Sequence, residues 1–363
     1  MAQPARTSGS ALGISVIGAG ARTSLGGDLA SSAAAARAGI ANFSDHPFMI
    51  DVTGRPMVVA RDGGLAVELE AEERMAQLAV VAAVDAFAGV LPAEDGRRIP
   101  LRLFLALPEA DRVSSLWRSS RLSKAVEDAL ADRAEVVAVQ CFTLGHVAGI
   151  GAVHAAQRAI SEGFVGCCLI LGVDSWLDPV SLEWLDEKGL LHSSARLFGF
   201  VPGEAAAGLL IGSPQMVGRT MPSAVLQGGN LSAEENLLPE TPRLGLALTK
   251  VARNALRSLD DGDGFAEAVF TDLNGLPERA DEVGYTMVRV NERLRSGGRM
   301  ITPAEWFGDV GAATVPLMAA LAVAAAEKGY SPERITLLLI QSLGAERGAL
   351  LISLWNGGTA SCR

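Results

Sequence analysis

Clustered positive charge is missing from this chain: 31 Lys and Arg residues stand against 41 acidic ones, and the basic residues gather only in short pieces such as Arg97-Arg98. Nucleic-acid binding needs grouped cations to neutralise phosphate. With a net charge of −10 and a pI near 5.0, nucleic acid and acidic lipid are poor partners. Long apolar runs are missing as well. The longest, Val315 to Ala326, is mostly Ala and Val and ends at Glu327-Lys328-Gly329, well short of the roughly 20 residues of a spanning helix. It reads as a buried core helix, and no membrane association is expected. The stretch Ala11 to Ala21 is Gly-rich and follows a neutral Ser/Gly leader, which argues against a secretion signal. Cysteine is sparse: Cys141, Cys167, Cys168 and Cys362 form no CxxC and no metal spacing. They read as buried, reduced thiols of a cytoplasmic protein, with Cys167 and Cys168 on opposite faces of one strand. Neither a metal nor a cofactor is expected.

What is present is apolar bulk. Across 363 residues 49% are hydrophobic and the mean hydropathy is +0.28, which excludes disorder and allows two domains or one large duplicated one. Ile14–Ile17 predicts a strand, with Gly18-Ala-Gly20 as its exit turn, and Asp28–Ala38 a helix. Position 23 is Thr where a dinucleotide loop would have its third Gly, so that loop is a weak reading. Residues 45–65 read as polar loop or cap. Helices are expected over Glu70–Val90 and Val113–Ala131, and strands over Leu101–Leu107 and Glu135–Cys141. A further helix runs through Glu162, with strands at Gly166–Leu171 and Ala207–Ile211. Small residues (Gly145, Ala148, Gly149, Gly151, Ala152) crowd the start of the helix after Cys141, which means that backbone or ligand approaches closely there. After a boundary at Ser213–Pro222 the grammar repeats: strand 224–228, helix 244–259, strand 268–272, helix 281–294, core helix 315–326, strands 336–340 and 350–355. Alternating strands and helices define an α/β class, and no 20–50-residue period marks a solenoid.

Several ordered blocks resemble the β-ketoacyl synthases of the thiolase superfamily. Ile14-Ser-Val-Ile-Gly-Ala-Gly20 through Leu25-Gly26 is similar to their first strand, Gly163 to Ser175 to a later strand, and Gly199-Phe-Val-Pro-Gly203-Glu204-Ala-Ala-Ala-Gly208 to their Gly-Phe-Val-x-Gly-Glu-Gly-Ala-Gly signature. Ser342-Leu-Gly344 is similar to their Ser-Phe-Gly turn. The resemblance covers nearly the whole chain. It implies a thiolase-like duplicated five-layer αβαβα fold, with residues 1–215 and 216–363 as two halves of one unit. It also implies dimerisation through the strand at 135–141, with a second copy or a related chain.

The same resemblance implies a Cys at the N-terminus of the buried helix and two enolate-stabilising His. Counting back from Gly163 through Gly149, Ala156, Arg158 and Ile160 puts His146 at the Cys position. Leu273 or Asn274 stands at the first His and Gly308 at the second, and the family's Lys has no counterpart near Pro303. Cys141, the nearest thiol, falls on the preceding strand and reads as a core or interface thiol. His46, His154 and His192 read as structural. A replacement pocket is conceivable from His146, Asp272, Asn274, Arg279, Glu282 and Asp309, with His146 and Asp272 as an acid/base pair. The bland alternative is a tight turn at Asp272–Gly275 with Gly275 at positive φ. Asn274, Gly308, Asp309, Ser342 and Gly344 are the candidate substrate-binding residues.

Two functions follow as expectations. One is a ketosynthase-like protein without condensing activity that acts as a partner, scaffold or adaptor. Degenerate members of the superfamily accompany active synthases, and some thiolase-like chains accompany bacterial type VI secretion clusters, where an effector-type protein would be the partner. The other is an acyltransferase or synthase centred on His146 that uses acyl carrier protein or another thioester.

Overall fold

β1 (Ile14–Thr23) is the strand on which the molecule is assembled. The computed structural model describes residues 13–90, 97–110, 112, 119–235, 237, 241–259, 264–331 and 333–355. In chain order β1 is followed by α1 (Leu29–Arg37), β2 (Ser44–Ile50), β3 (Pro56–Val59), α2 (Ala71–Ala86), β4 (Ile99–Ala106), α3 (Ser119–Ala129), β5 (Ala134–Phe142), α4 (Ala148–Ser161), β6 (Cys167–Ser175), α5 (Pro179–Glu187) and β7 (Glu204–Ile211). Then come β8 (Ala224–Ala233), α6 (Leu246–Leu256), β9 (Ala266–Thr271), α7 (Pro277–Val290), β10 (Leu294–Ile301), α8 (Ala304–Phe307), α9 (Thr314–Glu327), β11 (Ile335–Gln341) and β12 (Glu346–Leu354).

The large sheet has the order β10-β9-β11-β12-β8-β1-β7-β6-β4-β5. Outward from its middle, each side repeats one plan. β7 and β6 match β12 and β11 as antiparallel neighbours, and β4 and β5 match β9 and β10 as a parallel pair. Rather than forming two separate sheets, the two sides are hydrogen-bonded through β1, where Ile14, Ser15 and Val16 face Leu226, Val225 and Ala224.

Three apolar layers explain the burial. Cys167, Leu169 and Leu171 of β6 face α2 and α3 in one cluster, whereas Cys168 and Ile170 face α4 and α9 in another. A third cluster packs α6 and α7 on β9, β11 and β12. Helices therefore cover both outer faces and fill the centre, which is the five-layer arrangement. The alternation of Cys167 and Cys168 follows from the period of two along a strand. Burial pushes their thiols up to about 12 and about 11.

Several expectations need correction. Gly18 and Gly20 lie inside β1 rather than in an exit turn. A Cβ on either would come within 2.3 Å of the α2 backbone, so these glycines let the helix lie against the strand. Residues 45–65 are not loop throughout but include the β2–β3 hairpin. α5 and β10 are additional elements, and α7 begins at Pro277 rather than near 281. Cys141 is exposed, not buried. The start of the helix expected at Val113, and Cys362, lie outside the described residues. The small residues opening α4 meet protein: a Cβ on Gly149 would lie 2.7 Å from Val315 Cβ in α9, and one on Gly151 would lie 2.9 Å from the Phe142 ring. No helix among the described residues is long and apolar enough to cross a membrane.

Candidate functional site

His146 lies in a single 3₁₀ turn, Gly145–Val147, that leads into α4. Gly145 has φ +56°, and a Cβ there would fall on the Glu109 carboxylate, so the turn can bring Glu109 close only with glycine at this position. The other side of the site comes from the segment after α8. Asp309 N–H donates to Val201 O at 2.8 Å, and Gly203 N–H donates to Asp309 O at 2.8 Å. The signature block 199–204 thus holds the Asp309 backbone, and a Cβ on Gly203 would sit 2.3 Å from Phe307 O.

These frames join His146 to Asp309. His146 is 1% exposed, and its Nε2 lies 2.8 Å from Asp309 Oδ1 and 3.0 Å from Oδ2. Asp309 Oδ1 also accepts from Trp176 Nε1 (3.1 Å) and Gly311 N (2.9 Å), while Oδ2 accepts from Asn274 Nδ2 (2.6 Å). A carboxylate receiving so many donors is an anion. Burial pushes its pKa up, but the His146 imidazolium, Arg279 and Asn274 outweigh this and hold it far below the usual carboxylate range. Burial also acts against the charged imidazole; Asp309 prevails and raises His146 to about 9. Among the described residues His146 Nδ1 has no hydrogen-bond partner, and it lies 3.9 Å from Glu109 Oε1.

Arg279 occupies the place expected for a direct His146–Asp272 contact. It donates to Asp272 Oδ2 and to Asp272 O, each at 2.9 Å, and its Nη2 comes within 3.2 Å of His146 Nε2. Asp272 also accepts from Gln341 N at 2.6 Å. The expected acid/base pair is therefore not formed, because the guanidinium binds Asp272 and His146 binds Asp309. Burial raises the Asp272 pKa, opposed by Arg279. The turn that follows is present, with Gly275 at φ +106° beneath Gly199 O.

The other candidate residues divide. Asn274, Gly308 and Asp309 adjoin His146; Gly308 lines a cavity of about 20 Å³ with His146, Arg279 and Phe307, room for about one water. Ser342 and Gly344 instead line a cleft of about 980 Å³. Ser342 Oγ donates to Glu109 Oε1 at 3.0 Å, and Gly344 O accepts from Arg347 at 2.8 Å. Glu282 is turned away from His146 and pairs with Arg347 at 2.7 and 2.8 Å. Arg279 lines both spaces. Sequence reasoning missed Trp176, Glu109, Arg112 and Asp174. Arg112 binds Asp174 and stacks 3.6 Å from the Trp176 ring centroid. Burial raises Glu109, but His146 and Arg112 overcome it and hold its carboxyl at about 2. Of the other histidines, His46 Nδ1 accepts from Phe48 and Met49 N–H, and His154 Nε2 meets Gly229 O at 2.7 Å; both are tied to backbone. No group of three His, Cys, Asp or Glu among the described residues is placed to hold a metal ion.

Solved structures share this architecture. The ishigamide ketosynthase/chain length factor superimposes with a TM-score of 0.68 at 17% identity, covering 95% of this chain and 100% of that one. A type II PKS ketosynthase, solved as AntDE:AntF with its acyl-carrier protein and bound to the hexaketide, gives a TM-score of 0.76 at 16% identity over 94% and 99%. A β-ketoacyl synthase from Burkholderia phymatum STM815 gives 0.69 at 15% identity over 94% and 99%. No protein-family profile matches the sequence, and no curated protein does. The fold is that of the ketosynthases, the thiolase-like α/β fold anticipated from the sequence blocks. At such identities the likeness establishes the fold, and the chemistry has to be argued from the site itself.

Proposed function

We propose that this chain is a ketosynthase-like protein without condensing activity that works as a non-catalytic partner of another protein. The observation that carries the reading is the closure of His146. The residue that stands where the resemblance puts a nucleophilic Cys is bound to Asp309, crowded by Arg279 and left with space for about one water. An imidazolium has no lone pair with which to attack a thioester, and a pKa of about 9 keeps it in that form at neutral pH. Among the described residues no thiol replaces it: Cys141 is on β5, and Cys167 and Cys168 are buried in β6 with raised pKa values. Losing cooperating members of a site removes nearly all of its rate enhancement.

The partner we favour is a related chain or a second copy. Solved neighbours include a ketosynthase/chain length factor and a ketosynthase in complex with its acyl-carrier protein, and an acyl-carrier protein fits the same reading. β5 is an edge strand with Val137 50% and Val139 44% exposed. An unpaired edge with outward valines is a surface that proteins usually cover. In this reading residues 1–215 and 216–363 are duplicated halves, the protein acts in the cytoplasm, and an adaptor role toward a secreted effector, as in type VI secretion, is one form of the partnership.

The test has two arms. Wild-type protein given a malonyl thioester should release no CO₂, and intact mass after incubation with an acyl thioester should be unchanged. A covalent adduct or CO₂ release that disappears in His146→Ala would overturn the reading. Co-purification under native conditions would then identify the partner.

A second reading, a His146-centred acyltransferase, is favoured by one observation. The 980 Å³ cleft reaches Arg279, which itself touches His146. The acyl adduct measurement decides between the two.

A further inference from the structure

A separate cavity of about 260 Å³ opens between α1, α9 and strands β9 to β12. Its wall is apolar: Ala36, Phe270, Ile301, Trp306, Leu321 and Leu354 line it. Protein interiors are packed to near-crystalline density and leave few spaces larger than a water. A void lined this way is a poor host for water and a good one for a small apolar molecule. Its volume lies just below the usual range of ligand pockets, about 300–1,000 Å³, so the occupant is small.

Its mouth carries charge, and the charges are not equally engaged. Glu333 pairs with Arg299 at 3.2 Å and accepts from Ser331 Oγ at 2.7 Å. Burial would raise its carboxyl, but these two contacts hold it below the ordinary range. Arg37, in the last turn of α1, lies with its guanidinium carbon 4.3 Å from the Tyr330 ring centroid and meets no carboxylate among the described residues. A stacked guanidinium is held flat while its in-plane N–H groups remain free for a bidentate anion. Beside it, burial raises the Tyr330 phenol, which therefore stays neutral and adds no competing negative charge.

We propose that this cavity binds a small apolar carboxylic acid, its chain against Phe270, Trp306 and Leu321 and its carboxylate on Arg37. The site is distinct from the His146 cavity. The two are separated by α8, where Trp306 faces this cavity and Phe307 the other, the rings set edge to face at 6.4 Å.

The experiment is a calorimetric titration of the full-length protein with octanoate and, separately, 1-octanol, with Trp306 fluorescence as a second readout. Octanoate should bind saturably and more tightly than octanol. Arg37→Gln, a surface change, should weaken octanoate by about tenfold or more and leave octanol unchanged. Ala322→Phe, which fills the cavity, should abolish both, with its folding checked by circular dichroism. If neither compound binds, if octanol binds as tightly as octanoate, or if Arg37→Gln leaves octanoate affinity intact, the proposal fails. The last result would confine Arg37 to complementing the α1 dipole.

Discussion

His146 Nε2 and Asp309 Oδ1 meet at 2.8 Å where two helix entrances of the same construction converge. Leu144 precedes the 3₁₀ turn Gly145–Val147 that leads into α4, and Val310 precedes the turn Gly311–Ala313 that leads into α9. Leu144 (φ −116°, ψ 15°) and Val310 (φ −110°, ψ 18°) share a conformation, and both glycines have positive φ. Each glycine is pressed by a carboxylate, Glu109 on one side and Asp174 on the other. The repeat therefore reaches into the site, with His146 on one side answered by Ala312 on the other.

Removing either member of the buried pair should be costly. His146→Ala leaves Asp309 with Arg279, 3.9 Å away, in place of the closer imidazolium and should lower stability by about 3–5 kcal/mol. Asp309→Ala should cost at least as much, since it also strands donors on Trp176, Asn274 and Gly311. Urea denaturation measures both, and a loss below about 1 kcal/mol would show that the pair is not formed as described.

Stability should vary with pH in a defined sense. His146 is raised from 6.5 to about 9, so its contribution is complete below about 6.5 and is lost as pH rises through about 9. Glu109 is lowered from 4.5 to about 2, so its contribution is complete above about 4.5 and is lost as pH falls through about 2. The joint contribution of these two groups is flat between those ordinary values, and His146 adds an alkaline decline of up to about 3 kcal/mol. In His146→Ala the alkaline decline should flatten. Denaturation midpoints from pH 4 to 10 would reveal it.

Association should depend on β5. In the association proposed above wild-type protein should sediment as an oligomer, and Val139→Arg, which places a charge on the exposed edge, as a monomer. Maleimide labelling of Cys141, on the same strand, should quicken in that variant. Unchanged mass and unchanged labelling would place any interface elsewhere.

The contact between α4 and α9 should be intolerant of bulk. Gly149→Val adds side-chain volume where even a Cβ would approach Val315 to 2.7 Å, and should cost about 1–3 kcal/mol by overpacking. Thermal or urea melts would register it, and a neutral result would mean that the helices can separate freely.

Segments whose residues carry their own signal were legible in the sequence. β4, β6, β7 and β11 are nearly continuous apolar runs, and α9 is buried on all sides, so composition and length alone mark them. β10 was not, because Gly297 and Gly298 break its pattern at a register shift. Neither was β2, where exposed residues dominate the strand. α5 had a readable start in Asp178-Pro179, a cap followed by proline in the first turn. Within the site, His146, Asp272, Asn274, Arg279 and Asp309 could be assembled from turns. Which carboxylate would hold the imidazole could not, since that depends on a backbone bridge between Pro202 and Asp309. Trp176, Glu109 and Arg112 carry no local pattern at all and gain meaning only when distant strands bring them to His146.

β1 hydrogen-bonds to β7 along one edge and to β8 along the other. A chain cut near residue 215 would leave the second set of strands without the neighbour that closes β8, while the first would present β1 with a bare edge. The duplicated parts are therefore expected to melt together, in one cooperative transition, and to resist separate expression. The His146–Asp309 pair is then expected to be lost in that same transition, with no smaller folding unit left to hold it.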